Sequence, residues 1–400
     1  MGFSTMTAAV RRGVVAAATV GVVASTAIAC SSGDSAPGGT SSTSAYSSPT
    51  SSSSAAPSST PVAAGCGAAE LSKLTRREKL AQMIVVGVTG TSDAQQVVAK
   101  ESVGGVFIGS WTDQSILTSG AVKRISAKSK IPLMVTVDEE GGRVSRLKKL
   151  GIDSPSARQL AATKTPAQTR VLAASIGKQI RNLGITVDFA PDADVSNEPD
   201  DEVIGDRSFS NDPAKVTEYA QAFAQGLADA GVMPVFKHFP GHGHGSGDSH
   251  TGTVRTPPLA QLKTTDLVPY RTLLKMPGVG VMVGHLIVPG LTGNELPASV
   301  NPRAIAMLRT GKPYGGPAFN GVVFSDDLSG MAAISEKYPV DQAVPMALQA
   351  GIDVGLWIST DKVSAVLDAL ERSMDAKKLT QAQVDRSVVR ILSAKGVLKC

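Results

Sequence analysis

Leu133-Met134-Val135-Thr136-Val137-Asp138-Glu139-Glu140-Gly141-Gly142-Arg143 is a short apolar run that stops abruptly in three carboxylates, two glycines and an arginine. Such a run, bounded by polar residues, reads as a strand buried on both faces. The same pattern returns along the chain at Met83–Val88, Gly105–Ile108, Thr186–Phe189, Met233–Phe236, Gly280–Val283, Val322–Phe324 and Val354–Ile358. Thr186–Phe189 leads into Pro191-Asp192-Ala193-Asp194, Met233–Phe236 into Lys237-His238, Gly280–Val283 into His285, and Val322–Phe324 into Ser325-Asp326-Asp327. A solvated loop would account for any one of these. Ionisable residues after five runs instead mark the C-terminal ends of strands, where barrel active sites are built.

Helical patterns lie between several of the runs. Asp212-Pro213 is an N-cap followed by proline at the first helical position, and Val216, Tyr219, Phe223 and Leu227 follow at spacings of three and four before Gly231. Thr380 and Gln383 form a capping box ahead of Val384, Val388, Ile391 and Leu392, which share one helical face. Buried strands alternating with helices indicate an α/β protein with a parallel sheet. Eight of them predict a single (β/α)8 TIM-type barrel over residues 66–400, with no C-terminal sandwich domain. The competing doubly wound open sheet would carry Gly-x-Gly-x-x-Gly after an early strand, and none is present.

Of the five histidines, His238, His242, His244 and His250 fall within Lys237-His238-Phe239-Pro240-Gly241-His242-Gly243-His244-Gly245-Ser246-Gly247-Asp248-Ser249-His250, and His285 stands alone. Histidine titrates near neutral pH and also ligates metals, so the stretch allows proton transfer or metal binding. A metal reading would use His238, His242, His244, Asp248 and His250. No His-Glu-x-x-His helix accompanies them, and the glycine spacing presets no tetrahedral geometry, so no metal or other cofactor is expected. Gly241, Gly243, Gly245 and Gly247 imply a mobile loop, or a series of tight turns needing positive φ. His242 is expected to be structural and His244 exposed.

These motifs, together with Val144-Ser145-Arg146, Ile204-Gly205-Asp206-Arg207-Ser208-Phe209 and Phe324-Ser325-Asp326-Asp327-Leu328, resemble glycoside hydrolase family 3. Within it they are similar to the β-N-acetylglucosaminidase branch, over nearly all of residues 70–396. The resemblance implies Asp326 as nucleophile, His250 as acid/base and Asp248 as its partner. It also implies that Asp138, Arg146, Arg207, Lys237 and His238 hold the non-reducing sugar. Alternation along a strand would turn only one of Asp326 and Asp327 toward that sugar, and the resemblance selects Asp326. Asp327 is then a helix cap or an ion-pair partner. Glu139, Glu140 and Arg143 are candidates for a salt-bridge network below the site. The implied activity is retaining removal of terminal β-linked N-acetylglucosamine, from a glycan or muropeptide of the cell wall. The alternatives are a phosphorylase of the same family and a non-enzymatic sugar-binding lipoprotein.

The N-terminal segment speaks to location. Arg11 and Arg12 precede an apolar run, Gly13–Ala29, and then Cys30, the order of a secretory signal. Ala27-Ile28-Ala29-Cys30 resembles a bacterial lipobox, which implies a signal peptide over 1–29 and an acylated Cys30. An uncleaved anchor is the alternative, but the run is shorter than the ~20 residues that a spanning helix needs. Residues 30–65 are nearly all Ser, Thr, Ala, Pro and Gly and read as a tether without a core, reaching roughly 100 Å when fully extended. The domain is therefore expected outside the cytoplasm, lipid-anchored to the membrane, facing the wall, as a monomer. In that oxidising compartment Cys66 and Cys400 either form a disulfide across the ends of the barrel or remain free thiols. The formal charge is +5 with both signs mixed along the chain, and no basic run is interleaved with aromatics, so nucleic acid is not an expected partner.

Overall fold

The computed structural model describes residues 67–398. Cys30, Cys66 and Cys400, with the expected signal peptide and tether, lie outside the described residues. Eight parallel strands close into a barrel: β1 Ile84–Gly87, β2 Gly105–Ile108, β3 Met134–Val137, β4 Val187–Asp188, β5 Met233–Phe239, β6 Gly280–Val283, β7 Val323–Asp327 and β8 Val354–Trp357. Each strand pairs with its sequence neighbours, and β1 closes on β8 through Ile84 opposite Gly355 and Val86 opposite Trp357. All eight coincide with the apolar runs of the sequence, because strands covered by helices outside and packed inside must be apolar on both faces.

The helices fill the crossovers: α1 Thr91–Glu101, α2 Ala121–Lys128, α3 Pro166–Leu183, α4 Pro213–Asp229, α5 Tyr270–Leu273, α6 Pro302–Thr310, α7 Val340–Ala350 and α8 Val363–Asp375. A further helix, α9, follows at Gln381–Ala394. In α4 the Asp212 side chain accepts from the Ala214 N–H at 2.9 Å, and Val216, Tyr219, Phe223 and Leu227 are buried. The Thr380 capping box opens α9 and sets Val384, Val388, Ile391 and Leu392 into the core. Each such side chain stabilises the fold by about 1.5–3 kcal/mol relative to exposure. The β5–β6 crossover differs from the others. Its helices are single turns, and its first half, residues 240–258, is a long loop carrying the histidine stretch.

Phe107, Phe189 and Phe324 pack within the strand layer, with ring centroids 6.0 Å apart for Phe107–Phe189 and 5.3 Å for Phe189–Phe324. Phe107 and Phe189 also line the cavity at the C-terminal ends of the strands. No helix among the described residues is long and apolar enough to cross a membrane.

Candidate active site

The end of β3 sets the electrostatics. Alternation places Asp138 and Glu140 on one side and Glu139 on the other. Lys237, 2% exposed at the end of β5, holds both of the first two: its Nζ lies 2.7 Å from Asp138 and 2.6 Å from Glu140. Arg207 comes from a 3₁₀ turn, Gly205–Arg207, whose N–H groups at Ile204 and Gly205 are held by Glu198 at 2.8 and 3.0 Å. Its guanidinium donates two bonds to Glu140, at 2.8 and 2.9 Å. Burial pushes the Glu140 carboxyl up, but the charges of Arg207 and Lys237 outweigh it and hold Glu140 ionised. Arg146 is held more loosely, with its guanidinium 3.7 Å from Asp138.

Glu140 is thus the centre of the expected salt-bridge network, and its two companions lie elsewhere. Glu139 is buried, has no ion-pair partner among the described residues, and accepts from the Leu147 N–H at 2.9 Å and from the Ser145 hydroxyl. Burial pushes its carboxyl up to about 7. Arg143 reaches away to Asp206 at 2.8 Å and to the carbonyls of residues 202–204.

His238 is buried beside Lys237. Its Nδ1 lies 2.7 Å from Asp194, and its Nε2 lies 3.4 Å from Arg207. Burial and the Arg207 charge push the ring down to about 4, so it is neutral near pH 7. Its Nδ1 proton then belongs to the Asp194 contact, and Nε2 is an acceptor. The other oxygen of Asp194 accepts from the His242 N–H at 2.6 Å, so one buried carboxylate fixes both the strand end and the start of the loop. Asp192, Asp194 and His238 bring donor atoms within 4.8 Å of one another. The five residues that a loop metal site would use do not converge in this way: His242 meets Ser249 at 3.3 Å, His244 meets Asp266 at 2.9 Å and His250 meets Asp248 at 2.8 Å.

Two expectations for this loop change. His244, expected to be exposed, is half-buried against the buried Asp266 carboxylate. Three of the four glycines are needed for packing rather than for motion. A Cβ on Gly241, whose φ is +132°, would lie 2.2 Å from the Asp266 side chain. One on Gly243 would lie 2.1 Å from the Val195 carbonyl oxygen. Gly245 is also tight, with Val254 at 2.8 Å, whereas Gly247 has nothing within 4 Å. Of these four, only Gly247, next to Asp248, is not required by close packing.

His250 closes the loop. Asp248 Oδ1 lies 2.8 Å from both its backbone nitrogen and its Nδ1, while the side chain is 65% exposed. Burial pushes Asp248 up, but the bonds from His250 outweigh it and the net direction is down. The Ser249 and His250 carbonyls accept from the Ala333 and Ala332 N–H groups, which ties this loop to the segment after β7.

Asp326 and Asp327 both line the cavity, contrary to simple alternation. The pairing of β7 with β8 slips between Phe324 and Asp327, which breaks the two-residue repeat there. Their carboxylates still differ. Asp327 is tied down by the Ser329 N–H and hydroxyl and the Gly330 N–H at 2.8–2.9 Å, so it closes the turn after β7 and is neither the helix cap nor the ion-pair partner expected. Among the described residues, Asp326 accepts only the Asp327 N–H, at 2.9 Å. Burial raises Asp326; His238, His285, that N–H and Lys237 act the other way, and the net direction is down. His285, isolated in sequence, donates from Nε2 to the Asp327 carbonyl at 2.7 Å and is held by Ser299 at its other nitrogen, also at 2.7 Å.

One cavity of about 380 Å³ gathers Asp138, Arg146, Arg207, Lys237, His238, Asp248, His250 and Asp326, all eight of the residues expected to act on substrate. Sequence reading missed Asp194 and His285 as partners, and gave Glu140 a minor place. Alternation after β3 would have paired Glu140 with Asp138. Asp194 and His285 gave only the weaker signal of ionisable groups at strand ends. An ionised carboxylate sharing a cavity with an imidazole–carboxylate pair and a fixed cluster of cations and anions can attack a carbon centre, exchange a proton and bind hydroxyl groups.

Comparison with known proteins agrees with this chemistry. The family described as "Glycosyl hydrolase family 3 N terminal domain" matches residues 75–394. The chain is 58% identical over 339 residues to beta-hexosaminidase LpqI of Mycobacterium tuberculosis, covering 84% of this chain and 87% of that protein. A solved family 3 glycosyl hydrolase from Mycobacterium smegmatis superimposes with a TM-score of 0.81 at 56% identity, over 82% of this chain and 99% of the other. A family 3 β-N-acetylglucosaminidase from Paenibacillus gives a TM-score of 0.74 at 31% identity, over 81% and 62% of the two chains. The chain belongs to glycosyl hydrolase family 3 and is a glycosidase.

Proposed function

We propose that this glycosidase is a retaining exo-β-N-acetylglucosaminidase that removes terminal β-linked N-acetylglucosamine from peptidoglycan fragments. In the first step a carboxylate oxygen of Asp326 attacks the anomeric carbon. The bond to the leaving sugar breaks, and protonated His250 gives its proton to the departing oxygen. A glycosyl-aspartate results. In the second step water attacks the anomeric carbon, neutral His250 takes the water proton and the ester to Asp326 is cleaved. Asp248 orients the imidazole and stabilises its charged form. Asp138, Arg146, Arg207, Lys237 and His238 bind hydroxyl groups of the terminal sugar. The hexosaminidase names of the relatives support the sugar class. The observation that carries the mechanism is the 2.8 Å imidazole–carboxylate pair lining the same cavity as Asp326.

His250→Ala tests the proton transfer. Turnover of substrates with a sugar leaving group should fall by about 10²–10⁴-fold. An activated aryl glycoside needs less protonation and should lose less. Equal loss on both substrates would contradict the role. Product analysis with and without phosphate addresses the acceptor: free N-acetylglucosamine in both supports hydrolysis, and a sugar 1-phosphate would make the enzyme a phosphorylase.

The N-terminal sequence supports a placement outside the cytoplasm, lipid-anchored through Cys30 and facing the wall, with residues 31–65 as the tether. Cys30→Ala should move the protein from the membrane fraction to the soluble fraction. Unchanged membrane association would overturn the anchor.

A further inference from the structure

The N-terminal ends of the strands, opposite the active site, carry a second cluster of charge. Asp353, fully buried just before β8, accepts from the Val323 N–H at 2.9 Å and from the Ser387 hydroxyl at 2.7 Å. Two arginines pair with it, Arg309 of α6 and Arg390 of α9, the latter at 3.1 Å. Arg309 is spent on the fold, since it also donates to the carbonyls of Gly321 at 2.7 Å and Phe319 at 3.3 Å. One carboxylate therefore serves two guanidinium groups. Burial pushes Arg309 down and Asp353 acts the other way, but the charge of Arg390 adds to the fall and the net direction is down.

Arg309, Arg390 and a third arginine, Arg386, line a cleft of about 250 Å³ formed by α6, α9 and the residues that lead into β1, β7 and β8. Arg386 and Arg390 are four residues apart on α9 and share one helical face, where like charges repel. Arg386 is half-buried and has no carboxylate partner among the described residues. The adjacent Asp385 is taken by Lys79 at 2.8 Å and by Gln381 at 2.9 Å. No aspartate or glutamate lines the cleft, so its three arginines exceed the one carboxylate behind them by two positive charges. A concave site lined by one sign of charge concentrates ions of the other. Asn320 and Gln383 add neutral donors to the same walls. The Gln383 carbonyl accepts from Thr380, which leaves its amide N–H groups for a ligand.

We propose that this cleft binds a phosphate group, held by Arg386 and Arg390 with Asn320 and Gln383 as neutral donors. Guanidinium forks match phosphate oxygens in geometry, and a dianion offsets an excess of two positive charges. A planar carboxylate would be served by one fork, whereas a tetrahedral phosphate takes donors both from α9 and from the segment before β7. Met83, Ile305, Leu348 and Leu379 line the rest of the cleft and would cover a small organic group on the phosphate. The phosphate is thus either free or carried as a monoester. The site is separate from phosphate as a sugar acceptor, which would have to enter the cavity of Asp326.

Isothermal titration of the full chain with inorganic phosphate and with glycerol 3-phosphate, at constant ionic strength, tests the site. Wild type should bind at millimolar concentration or below. Arg386→Ala should weaken binding by about ten- to hundredfold, the worth of a charge-assisted hydrogen bond, and Asn320→Ala by a smaller factor. Both variants should keep wild-type turnover of an aryl glycoside, because neither side chain reaches the active site. Equal affinity for the two ligands would identify free phosphate as the occupant, and tighter glycerol 3-phosphate a monoester. Binding of neither ligand to wild type would overturn the site. Affinities unchanged in both variants would overturn it as well, by placing the phosphate elsewhere on the protein.

Discussion

Glu139 and Glu140 are adjacent and identical, yet the fold gives them different ionisation. Glu140 sits between two cations and stays charged, whereas Glu139 is buried among neutral donors and is pushed up from 4.5 to about 7. A carboxyl whose folded pKa is raised contributes stability that is fully present below its ordinary pKa and is lost as pH rises through the folded value. His238 has the opposite sense. Its ring is pushed down from 6.5 to about 4, so its contribution is present above 6.5 and is lost as pH falls through about 4. Glu139→Gln should therefore remove a loss of stability on the alkaline side. Between about pH 5 and pH 8 the wild type should lose on the order of 2 kcal/mol relative to the variant. Thermal melts across that range read the difference, and parallel profiles would refute the assignment. The pairing of Asp138 with Glu140 was legible from alternation alone. Asp194 was not legible as a partner, because the groups it holds lie 44 and 48 residues away in sequence and meet it only when β4 and β5 pair.

At the scale of single elements, the informative departures are slips in strand pairing and the glycines of one loop. The β5–β6 pairing slips between Phe236 and Phe239, and the β7–β8 pairing slips between Phe324 and Asp327. At each slip two consecutive residues, Lys237 with His238 and Asp326 with Asp327, reach one cavity. Sequence periodicity cannot announce a slip, so the rule that successive residues face apart failed where the chemistry is densest. The loop glycines carried a related ambiguity, since motion and close packing require the same residue. They can now be separated by experiment. Gly243→Ala drives a Cβ against the Val195 backbone and should cost about 1–3 kcal/mol in stability. Gly247→Ala meets open space and should stay within about 0.5 kcal/mol of wild type. Equal losses in denaturant unfolding would show that the loop is not held as described.

For the molecule as a whole, the barrel was readable because its signals are local and repeated: eight apolar runs, helix caps at Asp212 and Thr380, and ionisable groups at one end of the strands. The β5–β6 crossover was the least readable part, since its single-turn helices leave no periodic pattern and its first half serves the site instead. The barrel brings together Asp138, Arg207, Lys237, His238, His250 and Asp326 from four of its strands and the loops that follow them, β3, β4, β5 and β7, and the proposed chemistry needs all of them in one place. The central claim is that Asp326 becomes covalently bonded to the sugar. Incubation with a fluorinated N-acetylglucosaminyl donor that slows the second step, followed by peptide mapping, tests it most directly. One sugar per chain should be attached to the Asp326 side chain and be absent in Asp326→Ala. A label on Asp327 or any other residue, or no covalent adduct during turnover, would contradict it.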